Sequence, residues 1–428
     1  MTDGVDEPRP RRRWPLWTAL AVVVVLLGCG LPAAVLTVVV DRATSDGPTW
    51  SPPSAASDDP ASLAARRLGE RLTARLDRQA TALLGGDRAG FLAVADRSAQ
   101  PVLARRYAAL RALRVTVWRA ERDGPPTPVP GRPGQWRQPV TFRYCFVVPN
   151  CSPSPVSVST RWREAGDAPV LLAVEESQSG QTAARPWEVS ELVAAVGPRT
   201  VVATTPALRG KLPALLAEAE SAARVADLYA VAGPPPDRYR VFYAGPAEWR
   251  RWYGGGRPKW TAGYAVGIGG GQHEVVLNAQ TLPTGGAGAL LRHELTHAAS
   301  LPDQSSSGRA LWWLKEGLAE YAGASGAPVV RYEGLDEVRA LLRGWDGRLD
   351  SLAPAADDPA DRAGGAYGVG YLAVHHLVDR YGEQRTLEFF RAVVHDRRSL
   401  DDAAEQVFGD PWGPLHDECV GYVRATAR

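Results

Sequence analysis

The pattern of apolar and polar positions changes twice along the chain after its first 60 residues. Apolar residues three and four apart first predict helices, as in residues 63–84. Segments with β-branched and aromatic residues then predict strands at 114–121, 140–148, 156–164 and 169–176. Helices followed by a run of strands predict an α+β domain over residues 61–197, for which the sequence indicates no chemistry.

From residue 198 to 428 the helical period dominates. An Ala-rich helix is expected at 206–231, and a strand at 238–244. A Gly-rich stretch then ends in HEVVLN, where Val275 to Leu277 predict a further strand. Every later element reads as helical, including the segment AYGVGYLAVHHLVDRYG, which stops at Gly382. A second domain, mostly helical with a small sheet near its start, is therefore expected.

The first 60 residues predict where the chain is located. The segment from Trp14 to Val40 has 27 residues and no charged side chain, and as a helix it would be about 40 Å long. This length and composition predict a transmembrane anchor. Three Arg at 11–13 predict a cytoplasmic tail at 1–13, with the rest outside the cell membrane in a single-pass topology. A cleaved signal peptide, or a lipoprotein signal ending at Cys29, is the alternative. Residues 41–60 predict a flexible linker.

Composition narrows the possible partners. The chain is 45% hydrophobic with a formal net charge of +2, and no basic run in it suggests nucleic acid, so a nucleic-acid partner is not expected. Four cysteines are present. Cys145 and Cys151 flank a probable turn sequence and predict a disulfide, whereas Cys419 has no evident partner. The oligomeric state is not readable from the sequence.

The segment HELTH, from His293 to His297, carries the candidate chemistry. Residues four apart on a helix project from one face, so His293 and His297 can offer two imidazole nitrogens to one metal ion. Glu294 is rotated about 100° from that face, where a general base for water belongs. The competing interpretation is an amphipathic helix with a chance pair of His residues. The other five His show no ligand spacing and read as structural or surface residues.

A third candidate ligand follows on the next predicted helix. Glu316, in WWLKEGLAEY, comes 19 residues after His297 among apolar neighbours, where a carboxylate needs a cation or hydrogen bonds. This spacing resembles the gluzincins, zinc peptidases of the thermolysin and aminopeptidase type, and in particular the peptidase MA-like domains of bacterial membrane-anchored proteins. The resemblance implies Zn²⁺ held by His293, His297 and Glu316, a gluzincin metallopeptidase domain over 198–428, and a peptide or protein substrate.

Two further residues are assigned roles by the same resemblance. Glu320, one turn after Glu316, would accept the free N–H of a ligating His, unless it is a surface carboxylate paired with an Arg. Tyr367 falls on the catalytic Tyr of the aminopeptidase branch and would donate to the oxyanion. Tyr367 could instead be a packed core aromatic, and Tyr371 could provide the donor.

The substrate class is only partly indicated. Aminopeptidases of this type carry a G-x-M-E-N motif, and the only Met here is Met1. The strand at Val275 to Leu277 is expected to be the edge along which gluzincins lay an extended peptide, which favours an endopeptidase slightly. The alternative function is a noncatalytic cell-envelope binding module with a structural zinc site. The amino-terminal domain is faintly similar to the NTF2-like fold.

Overall fold

The computed structural model describes residues 59–166, 168–179, 182–282, 286–303 and 308–428. Residues 64–428 form one compact unit of α+β architecture. The predicted division of this unit at residues 197 and 198 stays a prediction. The strand on one side of that division, Val193–Val196, pairs with Thr200–Thr204 on the other.

The amino-terminal part packs helices against an antiparallel sheet with the strand order β1-β3-β4-β5 and with β2 beside β3. Burial alternates along β4, as expected for a strand with one face in the core. Trp118, Tyr144 and Trp187 are buried against one another in this core. The elements are α1 (Pro60–Gly85), α2 (Arg88–Leu92), α3 (Gln100–Ala112), β1 (Val115–Arg122), β2 (Thr127–Pro128), β3 (Gln135–Phe146), β4 (Ser154–Arg163) and β5 (Val170–Val174).

A second, mixed sheet has the strand order β11-β12-β10-β9-β8. Strands β9, β10 and β12 are parallel, and β8 and β11 run antiparallel to them at the two edges. A short hairpin and a one-turn helix precede this sheet. The elements are β6 (Gln178–Ser179), β7 (Thr182–Ala183), α4 (Pro186–Val189), β8 (Val193–Val196), β9 (Thr200–Thr204), α5 (Leu212–Ala226), β10 (Tyr239–Ala244), α6 (Pro246–Trp249), β11 (Gly263–Gly269) and β12 (Gln272–Asn278).

The predicted strand at Val275 to Leu277 is present as part of β12, but the expectation that it forms the edge of the sheet is wrong. Strand β12 lies between β11 and β10 and is hydrogen-bonded on both sides. An internal strand has no free backbone groups for a peptide to pair with. The edge strand next to the HELTH helix is β11 instead.

The two sheets are joined by a buried ionic network. Glu274 on β12 has no exposed surface, and its carboxylate lies 3.7 Å from the guanidinium of Arg240 on β10. The hydroxyl groups of Tyr253 and Tyr144 donate hydrogen bonds to the same carboxylate, the latter from β3 of the first sheet. The apolar core is likewise continuous from α1 to β12.

After β12 the described chain is helical, as expected. Helix α8 packs closely on α10 because glycines meet where they cross: a Cβ at Gly317 would collide with the carbonyl of Gly370. Only glycine permits this approach, which brings Tyr367 on α10 toward Glu316 and Glu320 on α8. The helices are α7 (Gly288–Ser300), α8 (Trp312–Ala324), α9 (Leu335–Leu342), α10 (Ala360–Tyr381), α11 (Glu383–Val394), α12 (Leu400–Phe408) and α13 (Trp412–Thr426).

The cysteine predictions are confirmed for the described residues. Cys145 and Cys151 form a disulfide with their Cα atoms 6.1 Å apart, which closes the loop after β3. Cys419 on α13 is a free, buried thiol.

The membrane-spanning element of the predicted fold, and with it the predicted single-pass location in the cell membrane, is corrected here. Among the described residues, no helix combines the length and the apolar character that crossing a bilayer requires. The expected anchor at 14–40, the tail at 1–13 and the linker up to residue 58 lie outside the described residues.

Candidate metal centre

Helix α7 presents the two His of HELTH on one face. It ends at Ser300, just before Leu301 and Pro302, and a residue that precedes proline disfavours the helical conformation. Both imidazoles are buried, with their Nε2 atoms 3.1 Å apart. The spacing of four residues thus brings the two rings together as expected.

Glu316 on α8 completes a group of three ligand atoms. Its Oε2 lies 3.0 Å from Nε2 of His297 and 3.3 Å from Nε2 of His293. Atoms bound at about 2.0–2.1 Å to one tetrahedral zinc ion would lie roughly 3.3 Å apart, so the three separations fit a single ion. Two imidazole nitrogens and a carboxylate oxygen are also a ligand set that zinc takes in catalytic sites.

The electrostatics of the group also favour a cation. Burial acts to lower the pKa of His293, but hydrogen bonds to Glu316 and Glu320 outweigh it, so that pKa lies well above its ordinary value. Burial acts to raise the pKa of Glu316, but the two imidazoles, His297 first, outweigh it and hold that pKa well below its ordinary range. Positive charge is therefore stabilised where the three ligand atoms meet.

Glu294 lies beside this group rather than in it. The residue is 4% exposed, and its Oε2 has no hydrogen-bond partner among the described residues. Burial raises the pKa of its carboxyl group, against the opposing effect of the two His residues. A buried carboxylate oxygen without a partner is costly unless a ligand, an ion or water completes it. The side chain is thus available to exchange a proton with a group in the adjoining cavity.

Glu320 contacts one of the two imidazoles on the side away from the other candidate ligands. Its Oε1 lies 3.1 Å from Nδ1 of His293, the ring nitrogen that faces away from Glu316. Its Oε2 accepts a hydrogen bond of 3.1 Å from the hydroxyl of Tyr332. The contact with His293 is the arrangement that orients a ligating imidazole and fixes its tautomer.

The two tyrosines of α10 differ in their surroundings. The ring centroid of Tyr367 lies 5.9 Å from that of His293 and 4.9 Å from that of Trp312, and the side chain is half-buried. Burial, and then the three nearby carboxylates, raise the pKa of its phenol well above 10, so it stays a hydrogen-bond donor at neutral pH. Tyr371 is 1% exposed and stacks on Tyr332 with ring centroids 4.3 Å apart.

A cavity of about 480 Å³ opens at the group, a volume in the range of small-molecule and peptide-side-chain sites. One wall is formed by the loop before β11, and another by the segment after α8. That segment leaves the helix through Ser325 and Gly326, both with positive φ. The residues that line the cavity are Trp260, Thr261, Ala262, Gly263, Ala289, Leu290, Arg292, His293, Glu294, Glu320, Gly323, Ala324, Ala327, Pro328, Arg331, Tyr332, Glu333, Gly334, Tyr367 and Tyr371.

Sequence reasoning missed two residues of this site. Gly263, the first residue of β11, lies against the carboxylate of Glu294, and Tyr332 holds Glu320. Neither belongs to a motif or has a regular spacing to HELTH. The other five His stay outside the three-ligand group: His273 is buried in β12, and the others lie on or just after helices α10, α11 and α13.

The comparisons with known proteins leave the family unassigned. No protein-family model matches the sequence, and no curated protein matches it. Among solved structures, the chain is similar to an M1 zinc metallopeptidase from Deinococcus radiodurans, at 17% identity and a TM-score of 0.33, over 73% of this chain and 60% of that one. It is also similar to native yeast LTA4 hydrolase, at 14% identity and a TM-score of 0.35, over 60% of this chain and 42% of the other.

The chain thus spans about three fifths or less of the length of these two proteins. The low TM-scores do not establish a common fold.

Proposed function

We propose that this protein is a zinc-dependent peptidase whose catalytic centre is built on α7, α8 and α10. One observation carries the proposal. Three ligand atoms of the kind that bind zinc lie 3.0–3.3 Å apart, beside a buried carboxylate oxygen of Glu294 that has no partner among the described residues. A cavity adjoins this arrangement and is lined by His293 and Glu294. This combination supplies ligands for a metal ion, a general base and space for a substrate.

Each residue has a distinct task in the proposed reaction. When bound by His293, His297 and Glu316, zinc supplies Lewis acidity, which lowers the pKa of water and polarises a carbonyl group. Glu294 takes the proton of the attacking water and returns it to the leaving amine. Tyr367 donates a hydrogen bond to the carbonyl oxygen as negative charge develops on it.

The alternative is a binding module in which zinc braces two helices. A structural zinc site usually closes with a fourth protein ligand, whereas the group here has three donors among the described residues, and one of them, His293, lines a cavity. Such a module also has no need for a buried carboxylate at position 294, whose desolvation lowers stability. Both features favour the peptidase.

The proposed substrate is a peptide or a segment of a protein. The endopeptidase preference is not retained, because one of its two supports, β12 as an edge strand, is wrong. Its other support was the missing G-x-M-E-N motif. Strand β11 is the edge, and its first residue, Gly263, lines the cavity. Peptides that differ only in acetylation of the amino terminus would distinguish an aminopeptidase from an endopeptidase.

The proposal is tested with the purified full-length protein. Mass spectrometry should find about one zinc per chain. A peptide library should contain substrates whose cleavage stops with a chelator and returns with added zinc. Cleavage that persists after complete metal removal, or a protein that binds no zinc, would contradict the proposal.

A further inference from the structure

Tyr332 lies at the end of a chain of contacts that reaches the metal ligands. Its hydroxyl donates to Oε2 of Glu320 at 3.1 Å, and Oε1 of the same carboxylate lies 3.1 Å from Nδ1 of His293. The other ring nitrogen of His293 faces Glu316 and His297. A shift of Glu320 would therefore rotate or release a metal ligand.

The ring of Tyr332 occupies a tightly packed slot. On one side it stacks on Tyr371 with an angle of 23° between the rings. At one edge of the ring, a Cβ at Gly334 would lie 2.7 Å from Cε1, and a Cβ at Gly368 would lie 3.1 Å from the same atom. Real Cβ atoms rarely come that close, so both glycines provide space that the phenol fills. This packing limits the ring to one orientation, with its hydroxyl on Glu320.

The donor role of this hydroxyl agrees with its surroundings. Burial and then the neighbouring Glu320 raise the pKa of Tyr332 well above its ordinary value of about 10, so the phenol stays protonated at neutral pH. A protonated phenol can donate to the carboxylate, and a hydrogen bond to a charged acceptor is stronger than one between neutral groups. Since Tyr332 also lines the cavity, one side chain is part of both the cavity wall and the support of the metal ligands.

We propose that Tyr332 is a positioning residue of the metal centre, which acts through Glu320 to hold His293 in its ligating orientation. This inference rests on the proposed zinc site. Groups that orient a metal ligand typically contribute 10- to 100-fold in metal affinity when they contact it directly. Tyr332 is one contact further away, so we expect a smaller effect than for Glu320.

Zinc affinity, measured on the full-length protein by competition with a chromogenic chelator, tests this inference. Glu320→Gln should weaken zinc binding by roughly 10- to 100-fold, and Tyr332→Phe by about 3- to 10-fold. The double variant should bind no more weakly than Glu320→Gln alone, because a residue that acts through Glu320 has no effect once that carboxylate is lost. As the control, Tyr422→Phe removes a phenol hydroxyl that contacts the imidazole of His375 outside the cavity, and it should leave zinc affinity unchanged.

Two results would overturn the inference. One is a Tyr332→Phe protein that binds zinc as tightly as the wild type, and the other is a double variant in which the two losses add in full. The visible spectrum of the Co²⁺-loaded proteins gives a second readout: Tyr332→Phe and Glu320→Gln should alter it alike, and Tyr422→Phe should not. Failure of the wild type to bind zinc would instead remove the proposed peptidase, so the two failures are distinguishable.

Discussion

The carboxylate of Glu294 lies directly against the backbone of Gly263. A Cβ placed on that glycine would lie 2.9 Å from Oε1 of Glu294 and 3.2 Å from its Cγ. Helix α7 and the edge strand β11 therefore meet at a position where any larger residue must displace the proposed base. The absence of a side chain at position 263 is thus part of how Glu294 is placed.

Gly263→Ala should lower kcat without releasing zinc. The added methyl group moves Glu294, and a displacement of about 1 Å in a catalytic group can cost on the order of 100-fold in rate. Metal content and the cleavage rate of a peptide that the wild type cuts are the measurements. Gly421→Ala is the control, since nothing lies within 4 Å of a Cβ at that position. Unaltered kcat in Gly263→Ala would show that Glu294 tolerates the shift.

Tyr367→Phe should reduce kcat by roughly 10- to 1000-fold with normal zinc content, as expected for the loss of one donor to the developing oxyanion. Tyr371→Phe should have a smaller effect on kcat, because its ring is buried against Tyr332 rather than beside His293. Steady-state kinetics of both variants decide between the two positions. A large loss in Tyr371→Phe alone would transfer the proposed role one helical turn along α10.

Acid should destabilise the protein through His273. Burial lowers the pKa of this imidazole to about 4, from an unfolded value near 6.5. Between these values the unfolded state binds the proton more readily, so stability falls as pH decreases from about 6.5 to 4, by roughly 3 kcal/mol in total. Urea unfolding of metal-free wild type and His273→Gln at several pH values measures the difference. Parallel pH dependence in the two proteins would contradict the assignment.

The buried ion pair of Arg240 and Glu274 should contribute more to the free energy of unfolding than an exposed ion pair whose charged atoms are closer together. Arg240→Met removes one of the two guanidinium groups that stabilise the buried carboxylate of Glu274, and the group of Arg185 remains. The substitution should cost about 3 kcal/mol, the lower end of the range for a broken buried pair. Arg143→Met breaks an exposed pair with Glu121 at 2.8 Å and should cost less than about 1 kcal/mol. Urea denaturation at neutral pH provides both values. Equal losses in the free energy of unfolding would show that burial does not determine how much this ion pair contributes.

The parts of the site that are local in sequence could be predicted. His293, Glu294 and His297 follow from the geometry of a single helix turn, and Glu316 and Glu320 from the next helix. The carboxylate of Glu320 does contact His293, as the resemblance implied. Helical period likewise predicted the carboxy-terminal helices, since their apolar faces are regular.

The remaining features depend on tertiary packing. Strand β11 is rich in glycine, which has low strand propensity, so its sequence does not predict the strand that forms the sheet edge beside β12. Tyr332 contacts Glu320 from a segment that follows two residues with positive φ at the end of α8, so helical spacing does not predict this contact. The pairing of Glu274 with groups from two sheets also joins residues far apart in the chain.

The central claim is that Glu294 acts as the base next to a zinc ion held by other residues, and Glu294→Gln tests it most directly. The substitution keeps the size of the side chain and removes its ability to accept a proton. We predict that the variant retains about one zinc per chain and the thermal stability of the wild type, while cleavage of a wild-type substrate falls by roughly 100- to 10,000-fold. His297→Ala should instead reduce zinc binding itself. Cleavage by zinc-loaded Glu294→Gln at the wild-type rate would contradict the account.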